Sequence, residues 1–333
     1  MSPVDLLKPL PLISLQTILQ EPLLPVEWLV EPLIAKGNRV VVYGEFGSMK
    51  SWLLLHLALH LAAGLPWLGK FPIAEARRVL YIDEEMNERT LRRRIQRLAR
   101  GAGIGSSVLE FRAMSRVGVR FHELGGKALL SALEKSQFDP DVIIVEAFRR
   151  VLVGSENDAE EVAAFWRNVE PILKAGKTLI ISHHMRKPNA QGNNANRDRA
   201  SGSTDILGGA DDGFAVQRSS KDSVVIECIK CREAEETSPF VVSLYDDGPE
   251  SPVEMRYEGS HAEVQAETGK LNRAVAKVLS FLVGLPTKTA KTSEIISHLK
   301  AHGFAQKTAE RALKSLSEHG GICRVEHGVW TVL

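Results

Sequence analysis

The sequence predicts an α/β domain built on a mainly parallel sheet, followed by a small domain of three helices and a terminal hairpin. Short runs of branched residues recur with helical segments between them. Those runs are apolar throughout rather than alternating, as in strands covered on both faces. Beyond a polar, acidic stretch near residue 250 the pattern turns helical.

A length of 333 residues fits one medium domain and a smaller one. Residues 1–37, rich in Pro and Leu, read as an arm that packs on the core or on a neighbouring subunit. Residues 38–246 form the main domain. Its first strand is 39–43, and a Gly-rich turn leads into a helix over 49–63 that Gly64 stops. A second strand, 78–83, precedes a helix at 87–100 with Asn87 as its cap and Leu91, Ile95 and Leu98 on one face. A helix over 124–137 leads to strand 141–146. Asn157 or Asp158 caps a helix over 159–175, and 178–182 is a fourth strand. Residues 187–205 have almost nothing to bury and read as a long functional loop. Strands follow at 213–217, 223–230 and 239–244. A linker is expected over 247–269. In residues 270–333, helices at 271–283, 293–301 and 306–318 precede a hairpin around His327 and Gly328, the layout of a winged helix-turn-helix.

Composition narrows the function. Lys and Arg total 42 against 41 Asp and Glu, a net charge of +1, so a case for nucleic acid must rest on local clusters. Three cysteines, at 228, 231 and 323, make no disulfide framework, and Cys228 and Cys231 read as strand residues rather than zinc ligands. Few cysteines and no recognisable secretory leader fit a reducing cytoplasm. The apolar stretch 53–68 is interrupted by His56, His60, Gly64 and Pro66 and suits a core helix, with no membrane span. Six arginines on one helix (Arg89, Arg92, Arg93, Arg94, Arg97, Arg100) suit a solvated face or a subunit contact.

The strongest chemical signal is Gly44-Glu45-Phe46-Gly47-Ser48-Met49-Lys50-Ser51 between a strand and a helix. A turn there aims backbone N–H groups and a helix N-terminus at phosphates. In this P-loop pattern Lys50 would reach the β- and γ-phosphates and Ser51 would hold Mg²⁺. Met49 stands where the pattern has Gly. A left-handed backbone at that position costs a side chain about 1–2 kcal/mol, whereas a helical one costs little. Glu146, ending a buried strand, sits where a carboxylate polarises Mg²⁺, although Asp is usual there. Asp83, Glu84 and Glu85 follow the second strand, where a water-orienting base belongs. Spacing alone leaves open which of the three serves, and each can equally cap the next helix.

Together these residues resemble the RecA-type ATPases, among them the DnaB-like and RepA-like hexameric helicases, and most of all the RepA-like branch of plasmids and phages. The resemblance runs from Trp28 to Leu244. It includes Glu27-Trp28-Leu29-Val30, the P-loop, Val79 to Met86, Phe148-Arg149-Arg150, Ser182-His183-His184 and Ile229-Lys230-Cys231-Arg232. It implies an ATP-dependent DNA motor with Mg²⁺, built as a homo-oligomer, a hexameric ring with ATP at subunit interfaces, that works with a replication-protein partner. It implies that Glu85 activates water and that His183 is the sensor of the γ-phosphate. The loop 187–205, with Arg186, Lys187, Arg197 and Arg199, would hold single-stranded DNA in the channel. Lys230 and Arg232 would reach a neighbour's γ-phosphate. Met49 and Glu146 depart from the family pattern and favour a rival, a nucleotide-gated DNA-binding regulator with slow turnover. An assembly ATPase that binds a protein is a second rival. In the C-terminal domain Lys307, Arg311 and Lys314 share a helix face that fits phosphates or a major groove, and such domains also dock proteins.

Overall fold

The computed structural model describes residues 12–105, 110–184 and 205–333. Chain order begins with α1 (Leu15–Gln20), then the antiparallel pair β1 (Trp28–Val30) and β2 (Ile34–Ala35). It continues with β3 (Arg39–Gly44), α2 (Lys50–Ala63), β4 (Val79–Asp83), α3 (Glu88–Gly101), β5 (Phe111–Ser115), α4 (Gly125–Lys135) and β6 (Val142–Glu146). Next come α5 (Phe148–Val151), α6 (Ala159–Lys174), β7 (Thr178–His184), α7 (Asp205–Gly208), β8 (Asp212–Arg218), β9 (Ser223–Lys230), β10 (Phe240–Asp246) and β11 (Val253–Ser260). The C-terminal unit is α8 (His261–Gly284), β12 (Thr289–Lys291), α9 (Thr292–Ala301), α10 (Gln306–Glu318), β13 (Ile322–Glu326) and β14 (Val329–Val332).

Nine strands form one sheet in the order β11-β10-β9-β8-β3-β7-β6-β4-β5. From β8 through β5 the neighbours are parallel, and β9, β10 and β11 add antiparallel pairs. Strand alternation splits the core into two layers. Val40, Val42, Tyr81, Val142, Ile144 and Ile180 pack with Leu54, Leu57 and Leu61 of α2 and Leu91 of α3. Val41, Tyr43, Leu80, Ile143, Val145 and Ile181 pack on the other face with Leu129 and Leu133 of α4 and Phe165 and Val169 of α6. The parallel strands have buried residues on both faces, which is why they read as unbroken apolar runs.

Local chemistry sets the helix ends. Asn87 accepts from the Thr90 N–H, and Asp158 from those of Glu160 and Glu161. Gly64 ends α2 in a left-handed conformation. Leu53 to Ala62 lie buried in the first core layer, and no described helix is long and apolar enough to cross a membrane.

One expectation changes. The proposed linker over 247–269 holds strand β11 and the start of α8, which runs 24 residues without a break. Ser260 and Glu263 form a reciprocal cap that starts this helix, so its polar first half is ordered. In the N-terminal stretch Leu29, Val30, Leu33 and Ile34 are buried in the first core layer, while α1 has no buried residue and Leu12, Leu19, Leu23 and Leu24 are exposed.

The C-terminal unit has its own core of Ala274, Val278, Leu282, Ile295, Leu299, Ala312, Leu313, Ile322 and Trp330. Three helices surround it with an antiparallel sheet in the order β12-β14-β13. Thr292 Oγ1 accepts from Trp330 Nε1 at 2.9 Å and donates to the Gly328 carbonyl at 3.0 Å, closing the hairpin onto α9.

Candidate functional site

The turn between β3 and α2 has the geometry of an anion cradle. A Cβ on Gly44 would lie 2.3 Å from the Val216 carbonyl oxygen of β8, so only glycine fits there. Arg218 Nη1 donates to the Gly47 carbonyl at 3.0 Å and ties the turn to the end of β8. Phe46 is 93% exposed at its tip. Unlike α3 and α6, α2 has no side-chain cap, so its first N–H groups and its dipole are open to a bound anion. Met49 has φ 60° and ψ 15°. The left-handed alternative posed by the sequence is therefore the one adopted, with its cost of about 1–2 kcal/mol.

Lys50 is buried, and its Nζ donates to the carbonyls of Gly44 at 2.8 Å and Glu45 at 2.9 Å. The ammonium thus lies inside the cradle. Burial brings its pKa down to about 8, opposed by the negative charges of Glu146, Glu85 and Glu45.

Ser51 Oγ, on the first turn of α2, donates to Glu146 Oε1 at 3.0 Å, and Tyr81 OH reaches Glu146 Oε2 at 3.4 Å. Burial first, and then Asp83, raises the Glu146 pKa to about 7. Asp83 and Glu146 are register partners on β4 and β6. Asp83 Oδ1 accepts the N–H groups of Glu85 and Met86 at 2.8 and 2.6 Å, while its Oδ2 is buried with no hydrogen-bond partner. Its carboxyl is also raised, by burial first. Two adjoining buried carboxylates and a hydroxyl make an all-oxygen donor set suited to Mg²⁺, which would offset their repulsion. The described residues hold no cage of three or more His, Cys, Asp or Glu. The sequence points to Ser51 and Glu146 but not to Asp83, whose signal is its place at a strand end beside Glu146.

The structure separates the three acids at the end of β4. Asp83 is turned inward, and Glu84 accepts from the Gly118 and Val119 N–H groups at 3.1 and 2.9 Å. Glu85 is half-buried, with Oε1 3.8 Å from His184 Nε2 and 3.9 Å from Arg150 Nε. The His184 imidazole first, with Arg150 and Lys50, holds its carboxyl below the usual range. Its backbone is fixed by Arg116, whose guanidinium donates to the Glu85 carbonyl, and by Ser115 Oγ, which donates to the Met86 carbonyl at 2.7 Å.

His183, the expected sensor, is buried and packs edge-on against Phe148 at 5.1 Å between ring centroids, on the α6 side of the sheet. His184 has the opposite parity, facing Glu85 and the Phe46 ring. Alternation along β7 puts Ile180, Ser182 and His184 on the P-loop face.

Lys230 and Arg232 lie at the other end of the sheet from the P-loop. Lys230 pairs in register with Gly213, whereas Gly44 pairs with Val216. Lys230 Nζ donates to the Leu207 and Gly208 carbonyls at 2.9 and 3.1 Å, and Arg232 Nε is 3.2 Å from Asp211 Oδ1. Lys230 is the last residue of β9, and Arg232 lies two residues beyond its end. Arg186, Lys187, Arg197 and Arg199 fall outside the described residues.

On α10, Lys307, Arg311 and Lys314 are exposed, but Arg311 pairs with Glu267 of α8 at 3.4 Å and Lys314 with Glu318 at 3.8 Å. That face is less positive than its sequence suggests. The arginines of α3 are mostly engaged within the chain. Arg93 and Arg97 hold the β10–β11 turn through Glu250, Ser251 and Asp246, and Arg94 lies over the Trp52 ring at 4.7 Å.

The profile of the AAA domain family matches residues 6–190, more than half of the chain and the whole P-loop half of the sheet. This chain belongs to the AAA domain family. No curated protein matches it. Among solved structures, this AAA domain chain is similar to an isolated ATPase domain, at 12% identity and a TM-score of 0.46, over 62% of this chain and 82% of that one. It is similar to a KaiC-like protein from the hyperthermophilic archaeon Pyrococcus horikoshii OT3, at 13% identity and a TM-score of 0.44, over 69% and 93%. A DnaB-like replicative helicase, described with its interactions with primase, matches at 12% identity and a TM-score of 0.47, over 64% of this chain and 58% of that one.

Proposed function

We propose that this AAA domain protein binds ATP with Mg²⁺ at the 44–51 turn, hydrolyses it, and uses the cycle to move single-stranded DNA through a homo-oligomeric ring. The observation that carries the nucleotide site is the Ser51–Glu146 contact, which joins the helix after the P-loop to the acidic end of β6 at 3.0 Å. Lys50, the open N-terminus of α2 and the Glu85 carboxylate converge on the same space.

In this reading the β- and γ-phosphates lie in the cradle and Lys50 Nζ exchanges its two carbonyl partners for phosphate oxygens. Ser51, Glu146 and Asp83 hold the cation, which neutralises charge on the transferring phosphoryl group. Glu85 orients the attacking water and accepts its proton, and His184, which faces Glu85, takes the sensor role that the resemblance implies for His183. Lys230 and Arg232, facing away from their own P-loop, act on the next subunit's nucleotide. The DNA-motor part rests on the motif resemblance from Trp28 to Leu244. The C-terminal unit fits a winged helix through its three helices and three-stranded sheet.

ATP hydrolysis measured with and without single-stranded DNA tests the reading. Stimulation by DNA supports the motor. ATP binding with a turnover that DNA leaves unchanged sinks it in favour of a nucleotide-gated DNA-binding regulator, which the left-handed Met49 favours.

A further inference from the structure

The short helix α5 carries an arginine whose placement has no evident structural purpose. Phe148 and Val151 of this helix are buried, so the Cα of Arg150 is held between two anchors. Its backbone N–H bonds to the Ala147 carbonyl at 2.9 Å, and the Val151 carbonyl accepts from the Phe121 N–H. The Arg150 side chain is 62% exposed and makes no side-chain hydrogen bond among the described residues. Neighbouring arginines behave otherwise: Arg116 and Arg120 donate to the main-chain carbonyls of Glu85 and Leu152. Among the described residues, the acidic group that Arg150 meets is Glu85, with Nε 3.9 Å from Oε1.

Glu85 shows a matching gap. Its main chain is fixed by Asp83 and Arg116, yet among the described residues its carboxylate has only two basic side chains close by, the His184 imidazole at 3.8 Å and Arg150 at 3.9 Å. Both distances exceed a direct hydrogen bond, so the carboxylate is steered while its lone pairs stay available to water. We infer that Arg150 is a positioning residue for Glu85, which together with His184 fixes the carboxylate where the attacking water must be held. The inference rests on the hydrolytic role proposed for Glu85. Orientation is where the effect lies, since a misplacement of about 1 Å in a reacting group lowers rate by about a hundredfold.

Steady-state ATP hydrolysis by the full chain, with Arg150→Ala, Arg150→Lys and Arg149→Ala beside wild type, tests this. Arg149 is exposed on the same helix and serves as the charge control. The expected result is a kcat for Arg150→Ala lowered by about 10- to 100-fold at unchanged KM. Arg150→Lys recovers part of that loss, Arg149→Ala keeps full kcat, and thermal midpoints are equal because the side chain is exposed. A kcat for Arg150→Ala within twofold of wild type overturns the inference. So does a rise in KM that accounts for the loss, which would assign Arg150 to the nucleotide instead. Wild type that binds ATP without hydrolysing it would overturn the role of Glu85 and this inference together, whereas an active wild type with an active Arg150→Ala removes the inference alone.

Discussion

Ser51 Oγ donates to Glu146 Oε1 across the gap between the first turn of α2 and the end of β6. A hydroxyl and a carboxylate in contact, with the unpartnered Asp83 Oδ2 among the same buried groups, form a pre-assembled oxygen site. Glu146→Gln keeps the shape and removes the charge. Its Mg²⁺-dependent ATP affinity should fall by at least about 10- to 100-fold, the scale already seen when only an outer-sphere partner of a metal site is lost. Isothermal calorimetry with and without EDTA reads this. A variant that binds ATP as tightly as wild type in Mg²⁺ would remove Glu146 from the cation site.

Lys50→Ala takes away the buried ammonium and the donor to two carbonyls. Hydrolysis should fall at least about a hundredfold. Arg232→Ala should lose activity as well, although Arg232 lies a strand's length from the P-loop of its own chain. Mixing the two inactive variants should restore part of the activity, because some interfaces then combine an intact Lys50 with an intact Arg232. A mixture as inactive as its components argues that each site is completed within one chain.

Met49 is held at φ 60°. Met49→Gly removes about 1–2 kcal/mol of backbone strain and adds about 0.5–1 kcal/mol of unfolded-state entropy. The net is a modest stabilisation, read as a rise of a few degrees in thermal midpoint. A lower midpoint would show that the Met49 side chain contributes more through its packing than its backbone loses.

His56 is buried in α2 and stacks on His60 with ring centroids 4.0 Å apart. Burial first, and then His60, holds its pKa well below the ordinary value of 6.5. The folded chain therefore keeps His56 neutral, while the unfolded chain takes up a proton below that pH. Its contribution is fully present above pH 6.5 and declines as pH falls, by up to about 1.4 kcal/mol per pH unit. His56→Leu should flatten the decline in urea midpoint between about pH 7 and 5 relative to wild type. Parallel curves for the two proteins would show that His56 does not titrate on unfolding.

Much of the site is readable in sequence because its chemistry is local. Gly44 to Ser51 is contiguous, and Asn87 and Asp158 announce helix starts through side chains that bond the next turn. β5 escapes a sequence reading because Phe111-Arg112-Ala113-Met114-Ser115 mixes polar residues into a partly exposed edge strand. β11 and the first half of α8 read as a linker because their polar faces meet solvent, so neither shows an apolar run. His183 and His184 cannot be told apart without strand parity, which depends on a register that only the assembled sheet supplies. The partnership of Glu85 with Arg150 joins the turn after β4 to the short helix after β6, and no spacing encodes it.

Helix α3 begins two residues after Met86 and closes with Gly101, where a Cβ would lie 1.9 Å from the Val253 carbonyl oxygen of β11. Its arginines clamp the turn that leads into β11, and β11 runs directly into the cap of α8. The helix is thus a stiff rod about 21 Å long, bolted to the acid-bearing turn at one end and to the hairpin ahead of the C-terminal unit at the other. The turn that carries Glu85 and the root of α8 are therefore joined by one straight element with fixed contacts at both of its ends.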